Sequence, residues 1–292
     1  MTYARRRIDL KFQMGEGSFG ESGDDVLAVS GLRVSASIQR NGDVSLSAAQ
    51  IRVYGLSLSV MNRLSTLGKP LMQGRQNTVT VSAGDDESGM ATVFVGNMTR
   101  AWTDLSAPPD GVFLIESYAA ILDKLRPLAP TSFPGNATAA VIVSGLAAQM
   151  GYNFENAGVD VTLSNPYFAG TGRQQLDAVA RAGNFNAYLD DTTNTLAIWP
   201  RDGSRGGAIP LITARTGMVG YPRITQNGMA VTTLFNPNIS FGRNVQVESI
   251  LTPAQGTWTV FQLAHELESE TPGGKWFTQA TCSLLGATPI AR

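Results

Sequence analysis

Apolar and polar residues alternate through most of the first third of the chain. Arg7-Ile8-Asp9-Leu10-Lys11-Phe12 has the two-residue period of a half-buried strand. Two short strands are expected around Gly31 within residues 26–40, and Asn41-Gly42-Asp43 then provides a hairpin turn. Residues 50–54 form another strand. At Ser57 the period lengthens: Leu58, Met61, Leu64 and Leu67 recur at helical spacing behind a capping serine, and Gly68 is the expected stop. Strict alternation returns at Asn77-Thr78-Val79-Thr80-Val81. An acidic turn, Asp85-Asp86-Glu87, follows, then strands at 92–97 and 111–118. Six or seven strands at this spacing predict a sandwich or barrel carrying one short inserted helix.

The pattern changes at Pro127, Pro130 and Pro134, which predict a linker across 126–134. Residues 138–150 then read as a helix ending at Gly151, and 159–163 as a strand. Residues 172–182 read as a second helix, with Leu176, Val179 and Ala180 on one face and Gly183 as its stop. Strands at 185–189 and 195–199 form a hairpin across Asp190 and Asp191. Residues 201–207 (RDGSRGG) predict a second, flexible join, after which strands return at 209–213, 217–221, 229–235, 244–250, 258–267 and 275–283. The expected fold is therefore mainly β with an α+β insert. Residues 1–126 form a first β-barrel domain, 127–202 a small α+β domain and 203–292 a second β-barrel domain.

Composition narrows the function classes. Charged residues make up 15% of the 292, against roughly 25% in an average soluble domain. The net charge is −1, so the chain offers no broad basic surface for neutralising nucleic-acid phosphates. Of 22 basic residues, all but Lys11, Lys69, Lys124 and Lys275 are arginine, the cation enriched at protein interfaces. One cysteine, Cys282, excludes an internal disulfide and a cysteine-based zinc cluster. One histidine, His265, excludes a His-rich metal site within one chain. No apolar run follows the arginines at 5–7, and no stretch approaches the roughly 18 apolar residues of a spanning helix. A reducing aqueous compartment and no membrane insertion are expected. The balance leans towards structure or binding rather than chemistry.

The motifs that could carry chemistry are incomplete. Gly15-Glu16-Gly17-Ser18-Phe19-Gly20 fits the GxGxxG pattern, but no lysine-bearing strand or helix start follows, and Glu16, Asp24 and Asp25 would repel phosphate. A surface loop is expected. His265-Glu266-Leu267-Glu268 begins like a zinc-protease motif but lacks the second histidine; His265 is expected at solvent or a polar interface. Asp85-Asp86-Glu87 and Asp190-Asp191 fall at hairpin tips, where solvent keeps carboxyl pKa values ordinary, unlike the buried acid of a glycosidase pair. Glu266, Glu268 and Glu270 alternate along one strand face. Cys282 reads as a buried structural thiol. Trp102, Trp199, Trp258 and Trp276 read as core or contact residues, and Arg5-Arg6-Arg7 is a weak basic cluster. No catalytic, cofactor-binding or metal-binding residue is assigned.

Two stretches carry a family resemblance. One runs from Ala49-Gln50-Ile51-Arg52-Val53-Tyr54-Gly55-Leu56-Ser57 through Met61-Asn62-Arg63-Leu64 to Asn77-Thr78-Val79-Thr80-Val81 and Val93-Phe94-Val95-Gly96. The other links Phe235-Asn236-Pro237-Asn238-Ile239 with Gly256-Thr257-Trp258-Thr259-Val260 and Gly274-Lys275-Trp276-Phe277-Thr278. Together they resemble the baseplate hub proteins of contractile-tailed, Mu-like bacteriophages. The resemblance implies a homotrimer whose two barrels per subunit make a pseudo-six-fold ring, joining a hexameric tail tube or distal tail protein to the trimeric central spike. The tape-measure protein and then DNA would pass through its channel. It implies no cofactor, a place in the virion tail baseplate and assembly in the host cytoplasm. In that setting Glu266, Glu268 and Glu270 are candidates for an acidic channel lining. A tail-associated peptidoglycan hydrolase, a hexameric tube adaptor and a carbohydrate-binding barrel are the competing readings.

Overall fold

A computed structural model of the chain describes residues 5–19, 23–42, 46–66, 76–106, 111–226 and 228–284. The N-terminal β segment comprises β1 (Arg6–Gln13), β2 (Val26–Val29), β3 (Val34–Asn41), β4 (Ala48–Tyr54), α1 (Leu58–Leu64), β5 (Thr78–Asp85), β6 (Gly89–Asp104) and β7 (Val112–Tyr118). The α+β insert comprises α2 (Ile121–Leu125), β8 (Pro127–Ser132), β9 (Asn136–Thr138), α3 (Ala139–Met150), β10 (Asn153–Asn156), β11 (Thr162–Ser164), β12 (Tyr167–Thr171), α4 (Gly172–Gly183), β13 (Phe185–Asp190) and β14 (Thr195–Pro200). The last segment adds β15 (Leu211–Ile212), β16 (Arg223–Thr225), β17 (Gly228–Leu234), β18 (Asn244–Val247), β19 (Gly256–Ser269) and β20 (Trp276–Leu284).

The fold is mainly β, and the strands at the two ends of the chain belong to one sheet. Its order is β16-β17-β20-β19-β3-β4-β7-β6-β5-β1-β2, with β18 paired to β19 and β15 to β18. The connecting strand is β19. One side pairs with β20. On the other side its start pairs with β18, and its last eight residues, Gln262 to Ser269, pair with β3. The N-terminal strands curl round so that β1 returns to the end of β19. Arg5 bonds Glu270 at 2.9 Å, and the Arg6 guanidinium lies 5.8 Å from the Trp276 ring centroid.

Alternation explains the packing. One face of β1, β3, β4, β5 and β7 buries Ile8, Leu10, Phe12, Val34, Ile38, Ile51, Val81 and Phe113 in a single apolar cluster that also takes in Leu267 and Trp276. The C-terminal segment has its own cluster around Met229, Val231, Trp258, Val260 and Cys282. The insert has another, built from Ile142, Val143 and Leu146 of α3, Leu176 and Val179 of α4, and Leu196 and Ile198 of β14. Both of its long helices are capped by the residues the chain supplies. Thr138 accepts from the Val141 N–H, and Gly151 closes α3 at φ +81°. Thr171 and Gln174 form a reciprocal capping box at the start of α4.

Several expected boundaries move. The proline stretch is strand β8, paired with β12. Prolines are tolerated there because β8 has only one partner strand, so a missing N–H costs no ladder bond on its open side. The strand expected at 159–163 shrinks to β11, and β10 forms instead, parallel to β14. Around 217–221 only Met218 makes a bridge, to Thr233. Helix α1 is capped by Ser57 and ends at Leu64; the expected contributions of Leu67 and Gly68, and of Asp43 to the hairpin, lie outside the described residues.

Candidate functional site

Eight strands, β16-β17-β20-β19-β3-β4-β7-β6, follow one another in unbroken hydrogen-bonded order. Their face opposite the apolar clusters is polar. Across one row the cross-strand neighbours are Glu266, Ser37, Gln50, Glu116 and Arg100; across the next they are Glu268, Ser35, Arg52, Leu114 and Trp102. Glu266 accepts a 2.6 Å hydrogen bond from the Ser37 hydroxyl, and Glu268 accepts from the Lys275 N–H at 2.9 Å. Arg100 sits 3.3 Å from Glu116 and 4.9 Å from the Trp102 ring centroid. The charge on this face is therefore mixed rather than uniformly acidic. Glu266 and Glu268 share it as expected. Glu270 does not continue their row: β19 ends at Ser269, and Glu270 adopts a left-handed φ of +53° and turns to Arg5.

Both ends of this run are open among the described residues. Strand β16 is terminal, and Arg223, Ile224 and Thr225 are all exposed, next to exposed Val219 and Tyr221. At the other end β5 pairs with β6 only as far as Asn97. Beyond it, β6 has β7 on one side, and on the other, among the described residues, Ser65 and Thr66 after α1 bond the backbone of Ala101. Asp104 and the exposed Leu105 follow. An edge with unpaired N–H and C=O groups is a template for another strand.

A buried ionic junction supports the polar face from behind. Arg40 continues the inward phase of Val34, Ala36 and Ile38 on β3, and it is buried. Its guanidinium reaches Asp191 Oδ1 at 2.8 Å, the Tyr188 hydroxyl at 3.2 Å and the Val93 carbonyl. The second Asp191 oxygen accepts from the Val95 N–H at 2.8 Å. Arg205 bonds Asp190 at 2.9 Å and Glu155 at 2.9 Å. The ring of Tyr188 stacks on Phe241 with centroids 4.5 Å apart. Burial alone would push Asp190 up. The hydrogen bonds from Arg205 and Thr192 and the positive charges of Arg205 and Arg40 outweigh it and hold its carboxyl below the ordinary range. Burial pushes Asp191 up against the opposing charge of Arg40 and the Val95 N–H. Arg40 itself stays cationic, since Asp191, Tyr188 and Asp190 together overcome its desolvation.

This corrects the expectation for Asp190 and Asp191. They close a hairpin, but it is packed against β3 and β6 rather than exposed. It also corrects the expected flexible join at 201–207, because Arg205 is anchored there by two carboxylates. Sequence reasoning missed Arg40, Arg205 and Glu155 as a group. The signal it could have used is an arginine on the apolar phase of a strand, at Arg40.

The other expected sites resolve one by one. The loop after β1 joins it to β2 in a hairpin, with the Phe19 N–H on the Asp24 carbonyl, so it opens no helix. His265 is buried rather than solvent-facing: Nδ1 lies 3.0 Å from the Thr278 hydroxyl, and Phe235 packs edge-on at 5.5 Å. Burial, reinforced by Arg40, lowers its pKa to about 3. Cys282 is a buried thiol, pushed up to about 12 by desolvation. Trp199, Trp258 and Trp276 are core residues. Arg5, Arg6 and Arg7 turn to Glu270, the Gly274 carbonyl, Asp9 and Asp86. Asp85 lies at an exposed tip, held low chiefly by the Ser88 backbone N–H. Among the described residues, no group of three or more His, Cys, Asp or Glu side chains is placed to hold a metal ion. No helix among them is long and apolar enough to cross a membrane.

A long β ribbon with a polar face, backed by a buried ionic junction, is also the fold of solved tail proteins. The tail protein from Neisseria meningitidis MC58 matches with a TM-score of 0.64 at 9% identity, covering 96% of this chain and 98% of that one. The 43 kDa tail protein of prophage MuSo2 from Shewanella oneidensis matches at 0.62 and 10% identity, with coverage of 96% and 98%. The E. coli c3393 protein matches at 0.58 and 10% identity, covering 89% of this chain and 77% of that one. It is a type VI secretion component described as structurally similar to the T4 bacteriophage tail proteins gp27 and gp5. No curated protein matches the chain in sequence. The chain belongs to the baseplate hub gp41 family, whose profile matches residues 8–282. It is a structural hub protein of a phage tail baseplate.

Proposed function

We propose that the chain forms a homotrimeric ring that joins a hexameric tail tube to a trimeric central spike, and that it works by shape rather than by making or breaking bonds. The observation that carries this reading is the eight-strand run with an open rim in each β segment. One rim offers Tyr221, Arg223 and Ile224; the other offers Asp104 and Leu105. An apolar and a basic group on one side meet an apolar and an acidic group on the other. A contact between two different surfaces closes into a ring when its rotation returns to the start. The polar face would then line the channel for the tape-measure protein and DNA, with Glu266 and Glu268 in the wall and Glu270 at its margin. Asp190 and Asp191, the closest approach to a hydrolytic carboxylate pair, are both held by arginines. The lone buried thiol suits assembly in the host cytoplasm.

The test uses one variant for each rim, Ile224→Asp and Leu105→Asp. With spike and tube proteins present, light scattering of the wild type should give trimers and each variant alone should give monomers. Mixed together, the two variants keep one intact contact between them and should stop at dimers. Monomers from the wild type would overturn the ring. Trimers from either variant would overturn this choice of rims.

A further inference from the structure

The insert and the N-terminal strands do not share an apolar core. The cluster under β1, β3, β4, β5 and β7 contains no residue between 121 and 200, and the cluster of the insert contains none before Ala120. The burial that holds each unit together therefore does little to hold one against the other. What crosses the boundary is polar. The Arg40 guanidinium bonds Asp191 and Tyr188, Val95 donates to Asp191, and the Ser47 hydroxyl lies 3.4 Å from that of Tyr188. On the far side Arg205 links Asp190 and Glu155 to the C-terminal segment, where its own N–H donates to the Gly242 carbonyl at 2.8 Å.

Beside this junction lies a cleft of about 460 Å³ between the two units. Val95 and Asn97 of β6 line one wall; Asp123 and Tyr152 of the insert line the other, and Asp191 reaches it from the junction. The Tyr152 hydroxyl donates to Asp123 at 2.9 Å. This pair lies within the insert and so does not bridge the gap.

A buried ion pair is a poor source of net stability but a sharp switch. It is favourable only while every partner is present, and removing one leaves an uncompensated charge in a desolvated site. At a boundary without a shared apolar core, that penalty is relieved by separating the units and readmitting water, at little cost to either core. We propose that Arg40 and Asp191 form an electrostatic latch holding the insert shut against the N-terminal sheet. Losing the Asp191 charge opens the cleft, with the insert pivoting on the buried cluster of Tyr188, Ala197, Trp199 and Phe241 that it shares with the C-terminal segment, while the apolar cores of the insert and of the N-terminal strands stay folded. Arg205, gripped by Asp190 and Glu155, carries the C-terminal segment in the same grip. The inference is independent of the ring and its stoichiometry.

Hydrogen–deuterium exchange on the full chain tests it, with Asp191→Asn as the first variant. Exchange should quicken about tenfold at the boundary, in residues 93–97 and 121–128. The amides inside α3 and α4 and in the ladder between β17 and β20 should keep their wild-type rates. The double variant Arg40→Met/Asp191→Leu removes both charges and should restore protection at the boundary. Should D191N fail to fold, Tyr188→Phe, which removes the hydroxyl that Arg40 and Ser47 meet across the same boundary, should give the same selective pattern at smaller amplitude. Faster exchange in every core together would show ordinary destabilisation and overturn the latch. So would unchanged exchange at the boundary, or a double variant that stays open.

Discussion

His265 and Asp190 sit in the same dry neighbourhood and titrate on opposite terms. Asp190 has arginines and remains ionised. His265 has Thr278 and an aromatic edge, and remains neutral. The Thr278 hydroxyl accepts from the Asn236 N–H at 3.0 Å and shares a hydrogen bond with His265 Nδ1 at 3.0 Å. The folded pKa of about 3 lies below the ordinary value of 6.5. Between those values the unfolded chain binds a proton that the folded chain refuses, so stability is full above about 6.5 and falls as pH drops towards 3. Denaturant unfolding at about pH 4.5 should show a loss of roughly 2–3 kcal/mol from this group relative to neutral pH. His265→Gln should flatten that part of the curve; parallel curves for the two proteins would contradict the assignment. Single residues were the least legible part of the sequence. Alternation places His265 and Arg40 on a strand face, but which face is dry depends on strands far away in the chain. That is also why Asp190 and Asp191 read as an exposed tip: nothing local shows β3 and β6 closing over them.

Elements were far more legible, because period and caps are local. Ser57 caps α1 as expected, and the strand phases of β1, β3, β4 and β5 match the buried positions, whereas Thr138, expected inside its helix, is the cap of α3, and Thr171 caps α4. Thr171→Ala should remove the side-chain acceptor for the Gln174 N–H and half of the capping box. The cost should be about 1 kcal/mol in denaturant unfolding. No measurable change would mean that packing of Leu176 and Val179 alone holds the helix. The misses at this scale share one cause. Strands β8 and β10 are short and owe their existence to partners, β12 and β14, rather than to their own pattern. Pro127 and Pro130 within β8, with Pro134 just beyond it, made this stretch read as a break, although an edge position tolerates the two inside the strand.

For the whole molecule, the sequence carried the β, α+β, β order but not the join between its ends. Strand β19 looks like any other alternating strand until β3 is found against its second half, more than two hundred residues away. That pairing turns two β segments into one continuous ribbon, and from the ribbon follow the polar face and the two rims. Low charge and near-zero net charge fit the same picture: copies approach without long-range repulsion, and interface cores exclude charged groups. The insert and the N-terminal strands keep separate cores joined by polar contacts, whereas the insert and the C-terminal segment share the buried cluster of Tyr188, Trp199 and Phe241.

The most direct test of a ring that couples two symmetries is to count it where it works. Cryo-electron microscopy of the assembled tail, reconstructed without imposed symmetry at the junction of tube and spike, should resolve three copies of this chain around the channel. Six copies, or one, would contradict the account.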